Sequence, residues 1–131
     1  MRHFTIQELC KSTVAEERLI DNTPSDVITE QLTALVDNIL DPLRDAYGSP
    51  IFVSSGYRSV QLNRVVGGVN SSQHRLGQAA DLDQGSKKEN KKLFNLVLKL
   101  ELPFDQLILE HGGEWIHISY SPRNRRQVLK L

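Results

Sequence analysis

The sequence predicts an α+β domain, with helices first and a small antiparallel sheet after them. Three observations carry this. Val27, Ile28, Leu32, Leu35, Val36, Ile39, Leu40 and Leu43 recur at steps of three and four, the period of a helix with a broad buried face. After Gly48 the apolar runs become short: Ile51-Phe52-Val53, Ala79 to Asp83, Leu107-Ile108-Leu109 and Trp115 to Ile118. The last two flank His111-Gly112-Gly113-Glu114, a hairpin signal. Helices followed by strands, rather than alternating with them, point to α+β. At 131 residues the chain is expected to form one domain, 1–131.

The elements follow in order. Thr5 with Glu8 is a capping box, and Phe4 with Leu9 is spaced as a hydrophobic staple. Thr13 with Glu16 repeats the box for a second short helix. Asp21-Asn22-Thr23-Pro24 reads as a turn, with Pro24 suited to a first helical position. The striped helix then runs to about Tyr47, and Pro42 is expected to kink its last turn. Ser59 starts a short helix through Val66 that Gly67-Gly68 ends. Ser86 and Glu89 cap a helix to about Leu100, which buries Leu93, Phe94, Val97 and Leu98 and leaves its lysines in solvent.

Composition excludes several function classes. Apolar residues are 39% and charged residues 24%, ordinary globular usage and not that of a disordered chain. Sixteen basic and sixteen acidic residues cancel, so no net field draws the chain to nucleic acid or an anionic membrane. No apolar run approaches the ~20 residues of a membrane helix. The opening Met1-Arg2-His3-Phe4-Thr5 lacks the apolar stretch of a signal peptide, so synthesis in the cytoplasm is expected. The closing Arg123, Arg125, Arg126 and Lys130 read as a solvated basic tail. With Cys10 the one cysteine, a multi-cysteine zinc site is impossible, and a metal would be held by His, Asp and Glu. Cys10 itself reads as packing, and His3 and His111 as surface residues.

The chemistry concentrates between Ser54 and Asp83. His74 precedes Asp81 by seven residues, across Gly77, which permits a tight turn. His117 lies between Ile116 and Ile118, so on a strand it faces away from both and shares its side with Trp115 and Ser119. Two histidines and one carboxylate form a three-ligand catalytic zinc set with a fourth position for water. On its own the His-to-Asp spacing is not specific.

The wider pattern is specific. Ser72-x-His74-x-x-Gly77-x-Ala79-x-Asp81, followed by Trp115-x-His117 and preceded by Ser55-Gly56-Tyr57-Arg58, resembles the M15 zinc metallopeptidases, the D-Ala-D-Ala carboxypeptidases and murein endopeptidases. Phe4-Thr5 with Glu8-Leu9, Leu40 to Arg44, Val66-Gly67-Gly68 and Phe104 to Ile108 extend the likeness to the small bacterial and phage-borne members. The resemblance implies a Hedgehog-like fold and one Zn2+ held by His74, Asp81 and His117. It also implies cleavage of peptidoglycan stem peptides, often beside D-alanine. Such a chain would act as a monomer, without nucleic-acid or membrane partners, on the cell wall if it is a phage-type lysis enzyme or endolysin.

The resemblance makes Arg58 the electrophile that steadies the substrate's developing negative oxygen. A general base is also needed. Glu114 stands three residues before His117, a spacing some family members show, and Glu110 stands seven before it. A hairpin turn of two or four residues puts Glu110 on the face of Trp115 and His117 and turns Glu114 away, which favours Glu110; an odd or bulged turn reverses the choice. Ser72 and Gln73 are expected to bind substrate or order the His74 loop, and Trp115 to wall the cleft. Tyr57 and Asn63 read as packing and supporting residues, and Asp83 as an orienting or solvated carboxylate. The competing reading is a zinc-binding recognition module without turnover, because a fold alone does not prove activity.

Overall fold

A computed structural model describes residues 1–131. The first helix, α1, spans Ile6–Cys10, and the Thr5 hydroxyl accepts from the Glu8 amide. Helix α2 spans Thr13–Glu17, but its cap is Ser12, one residue before the expected Thr13; the Ser12 hydroxyl accepts from the Ala15 amide. Helix α3, Asp26–Leu35, is likewise capped by Ser25 rather than opened by Pro24. It runs through a π turn, Val36–Leu40, into α4, Asp41–Tyr47. Pro42 has no N–H to offer, and its ring crowds the carbonyl of the previous turn. The chain widens one turn earlier than the expected kink, with the Asp41 amide bonding Val36 five residues back. Gly48 closes α4 in the left-handed conformation.

Strand β1 is Val53–Ser55, two residues later than the apolar run suggested. Pairing, not hydropathy, sets it: Val53 lies opposite Leu82 and Ser55 opposite Asp81, with a bulge between. Helix α5 is Val60–Val65, capped by Ser59. A 3-10 turn, Gln73–Leu76, leads to β2, Ala79–Leu82. Helix α6, Lys87–Lys99, is capped by Ser86, whose hydroxyl accepts from the Glu89 amide. It buries Leu93, Phe94 and Val97 but leaves Leu98 39% exposed, because Leu98 falls past the edge of the stripe. Val27 is 65% exposed for the same reason. Strands β3, Gln106–Glu110, and β4, Trp115–Ser119, form the expected hairpin around a four-residue loop.

The sheet is mixed rather than wholly antiparallel. Its order is β1-β2-β4-β3-β5, and β5, Gln127–Lys130, runs parallel to β3. The supposed solvated tail therefore contributes a strand. One face, through Ala80, Leu82, Leu107, Leu109, Ile116 and Ile118, joins the stripe of α3 and α4 and the apolar side of α6 in a core of 20 buried residues. The opposite face carries Ser55, Asp81 and His117 in one row across β1, β2 and β4. No helix is long and apolar enough to cross a membrane.

Candidate metal centre

Asp81 and His117 are direct partners across β2 and β4. Such partners stand about 5 Å apart and point to one side. His74 reaches the same point from the 3-10 turn, which the Ser72 hydroxyl caps by accepting from the His74 amide. Gly77 ends that turn at φ 71°, and a Cβ there would lie 2.9 Å from the Ile28 carbonyl oxygen, so both backbone and space call for glycine. The potential ligating atoms of His74, Asp81 and His117 all lie within 4.8 Å of one another. The His74 ring is almost fully buried, and Asp81 and His117 keep 13% side-chain exposure, enough for access from solvent.

Hydrogen bonding fixes which nitrogen of His74 faces the cluster. Its Nδ1 is 2.7 Å from the Gly56 carbonyl oxygen. A carbonyl only accepts, so Nδ1 carries the proton and Nε2 presents a lone pair. That lone pair faces Asp81 Oδ1 at 3.3 Å, while His117 Nδ1 lies 3.0 Å from the same oxygen. A lone pair turned on a carboxylate oxygen is repulsive unless a second proton or a cation sits between them. The donor set, two imidazoles and one carboxylate, suits zinc. Burial alone would raise the Asp81 carboxyl; the hydrogen bond from His117 and the two imidazoles around it outweigh burial and hold the group well below the usual carboxylate range.

Gly56 serves this geometry by close approach. A Cβ on it would sit 2.1 Å from the Leu9 carbonyl oxygen, which also accepts from the Tyr57 amide. The Ser55–Arg58 segment is thereby pinned to the end of α1 on one side and to His74 on the other, since the Arg58 amide donates to the His74 carbonyl.

The Arg58 guanidinium reaches the edge of the cluster. Nε donates to Ser55 Oγ at 3.2 Å and Nη1 to Asn63 Oδ1 at 3.2 Å, leaving Nη2 3.7 Å from Asp81 Oδ2. Burial lowers the Arg58 pKa, and the Asp81 charge opposes that shift. Asn63 is itself buried and donates to the Val69 carbonyl, so it supports Arg58 as a fixed post. A cleft of about 570 Å³ opens beside Arg58 and Ser55, between β1 and the turn from α1 to α2.

Both candidate bases lie at the hairpin end. Glu110 pairs with Trp115, so it stands on the His117 face, as the four-residue loop requires. Strand alternation does not extend to Glu114, however. The carbonyls of Gly113 and Glu114 both accept from Asn90 Nδ2, at 2.9 and 3.0 Å. Successive carbonyls pointing one way break strand alternation just before Trp115. The sheet order adds a second consideration. The His-Asp-His group gathers over β2 and β4, whereas Glu110 stands on β3, across β4 from it. Glu114 leads into β4 itself and borders Asp83, the residue after β2.

Gln73 is buried, with its amide committed to Asp105, Gln78 and Arg125, an arrangement that orders the His74 turn and leaves no amide atom for a ligand. Trp115 is half-buried with its ring 5.0 Å from that of His111. Asp83 accepts from the Gly85 amide and from Asn90, both on Oδ1, and so tethers the loop after β2 to α6. Cys10 packs on the core, and burial pushes its thiol up to about 11. Two residues escaped the sequence. Asn90 sits inside a lysine-rich helix, and only its buried position, with partners just after β2 and in the hairpin loop, marks it. Asp105 is fully buried, and the signal that could have found it is a lone acid within an apolar run.

Comparisons with known proteins agree with this geometry. A 49-residue stretch is 49% identical to the zinc D-Ala-D-Ala carboxypeptidase of Streptomyces albus G. That stretch is 37% of this chain and 19% of the relative, so the chain matches about a fifth of that protein's length. The description of the Peptidase M15 family matches residues 2–119, nearly the whole chain. The chain belongs to the Peptidase M15 family.

Proposed function

We propose that this protein is a zinc-dependent peptidase that hydrolyses a peptide bond in peptidoglycan stem peptides, beside D-alanine, and so degrades cell wall. The observation that carries the reading is the convergence of ligating atoms of His74, Asp81 and His117 within 4.8 Å, with Arg58 at its edge. The carboxypeptidase named for the Streptomyces albus G relative supports the substrate class.

His74, Asp81 and His117 would hold the ion. When bound, zinc supplies a Lewis acid that polarises the scissile carbonyl and makes water nucleophilic near neutral pH. The Gly56 carbonyl keeps His74 in the tautomer that ligation needs. A glutamate at the hairpin end takes one proton from the attacking water and delivers it to the leaving amine as the C–N bond breaks. Glu114, which leads into the strand that carries His117 and lies on the β2 side, is the better candidate; Glu110 is the alternative. Arg58, with Nε and Nη1 already engaged, offers Nη2 to the carbonyl oxygen as it gains negative charge. The cleft beside Arg58 receives the substrate chain.

The test is digestion of purified muropeptides by chelator-stripped and zinc-restored protein, read by mass spectrometry. Zinc-dependent loss of alanine is expected for a carboxypeptidase, and an internal cut for an endopeptidase. Bound zinc without cleavage of any stem peptide would replace the enzyme with a recognition module. In the same assay Glu114→Gln should keep zinc and lose about 10²-fold or more in turnover. Full activity in Glu114→Gln with loss in Glu110→Gln would transfer the role to Glu110.

A further inference from the structure

The largest buried polar cluster outside the metal centre surrounds Asp105, at the start of the β3 segment. Its carboxylate is fully buried and accepts five hydrogen bonds. Oδ1 takes the Arg125 amide at 2.7 Å and Arg125 Nε at 3.1 Å. Oδ2 takes Gln73 Nε2 at 2.9 Å, Ser121 Oγ at 3.0 Å and Arg125 Nη2 at 3.0 Å. A buried carboxylate is costly unless paired and saturated, and Arg125 supplies its one cationic partner. Arg125 also reaches past Asp105 to Gln73 Oε1, at 3.3 Å. Gln73 is the residue before His74 and opens the same 3-10 turn.

The backbone repeats the connection. The Gln127 amide, at the start of β5, donates to the Asp105 carbonyl, and the Asp105 amide donates to Ser119 at the end of β4. The Gln78 amide donates to the Gln73 carbonyl and closes the turn against β2. Arg125 and β5 lie beyond residues 2–119, the part of the chain that matches the family description.

We propose that Arg125 is a positioning residue for the metal centre: through Asp105 and Gln73, the C-terminal segment clamps the turn that presents His74. Asp105, Gln73 and Ser121 are buried and bonded to one another and to Arg125, so the cluster acts through the orientation of His74. A metal site tolerates small errors of ligand placement poorly, and supporting partners of ligands typically govern affinity by about 10- to 100-fold. The clamp rests on the reading of His74 as a ligand, and the experiment separates the two.

The experiment is zinc affinity by competition with a chromophoric chelator, together with the visible absorption spectrum of the cobalt-substituted protein, at a temperature where circular dichroism shows each variant folded. Arg125→Ala and Gln73→Met should each weaken zinc by about 10-fold or more and alter the cobalt spectrum. Arg125→Lys should recover part of the affinity, because it restores the charge but not the forked contact. Arg126→Ala, which removes a cation lying over the Phe104 ring instead, should leave both readouts unchanged. If Arg125→Ala does not fold, Gln73→Met decides, since it leaves the Asp105–Arg125 pair intact. Wild-type affinity and an unaltered spectrum in folded Gln73→Met would overturn the clamp. Failure of the wild-type protein to bind zinc would instead overturn the metal centre, and the clamp with it.

Discussion

Arg58 shows how one side chain is fixed for a task. Ser55 and Asn63 take Nε and Nη1 of a planar guanidinium, so the third nitrogen can point only toward Asp81 and the space beside it. Lysine cannot reproduce that fork. Arg58→Lys should therefore lower kcat by about 10²-fold, the usual loss when one donor to a developing oxyanion is removed, with zinc content unchanged. Steady-state kinetics beside metal analysis checks this, and an effect confined to KM would assign Arg58 to ground-state binding. The three convergent residues were legible in the sequence through the family resemblance of the His74-to-Asp81 motif and Trp115-x-His117; strand alternation added only the face on which His117 stands. The tautomer of His74 was not legible. It depends on the Gly56 carbonyl, eighteen residues away, arriving within 2.7 Å.

At the scale of elements, side chains that tie separate elements together decide the site. Asn90 shares its two amide hydrogens among Asp83, Gly113 and Glu114 and accepts from the Gln84 amide, joining α6 to the end of β2 and to the hairpin loop. Asn90→Ala would leave buried carbonyls unpaired and should cost about 1–3 kcal/mol, measured by denaturant unfolding. It should also lower turnover more than zinc affinity, since the loop it holds carries Glu114. Equal loss of both would mean that Asn90 supports the whole fold rather than the loop. Elements with local signals were readable: the Thr5 and Ser86 caps, the α3 stripe and the hairpin all rest on residues within one or two turns. Strand β1 was misplaced by two residues because its bounds come from pairing with β2. The π turn was missed because it reconciles Pro42 with a helix that stays buried along Ile39, Leu40 and Leu43. Strand β5 was hidden by the arginines just before it, and its parallel partner lies about twenty residues upstream.

At the scale of the whole molecule, the Asp105 cluster makes acid stability a property of the fold. Burial alone would raise the Asp105 carboxyl; hydrogen bonds from Arg125, Gln73 and Ser121 prevail and hold it well below the usual carboxylate range. Its unfolded-state pKa is about 3.9, so the folded state binds this proton less readily than the unfolded one. The contribution to stability is fully present above that value and drains away as the pH falls below about 4. Denaturant unfolding at a series of pH values should show wild-type stability falling into acid. Asp105→Asn should start less stable and fall less steeply. Parallel declines would mean that Asp105 is not a source of the acid sensitivity.

The sheet and the 3-10 turn bring His74, Asp81 and His117 together as a place for one zinc ion. Titration of zinc into chelator-stripped protein, read as moles bound per mole of chain, tests it most directly. One zinc per chain is predicted for the wild type, and none held tightly by His117→Ala. A wild-type chain that binds no zinc, or a His117→Ala chain that binds it as tightly, would mean that these three residues do not form the metal site.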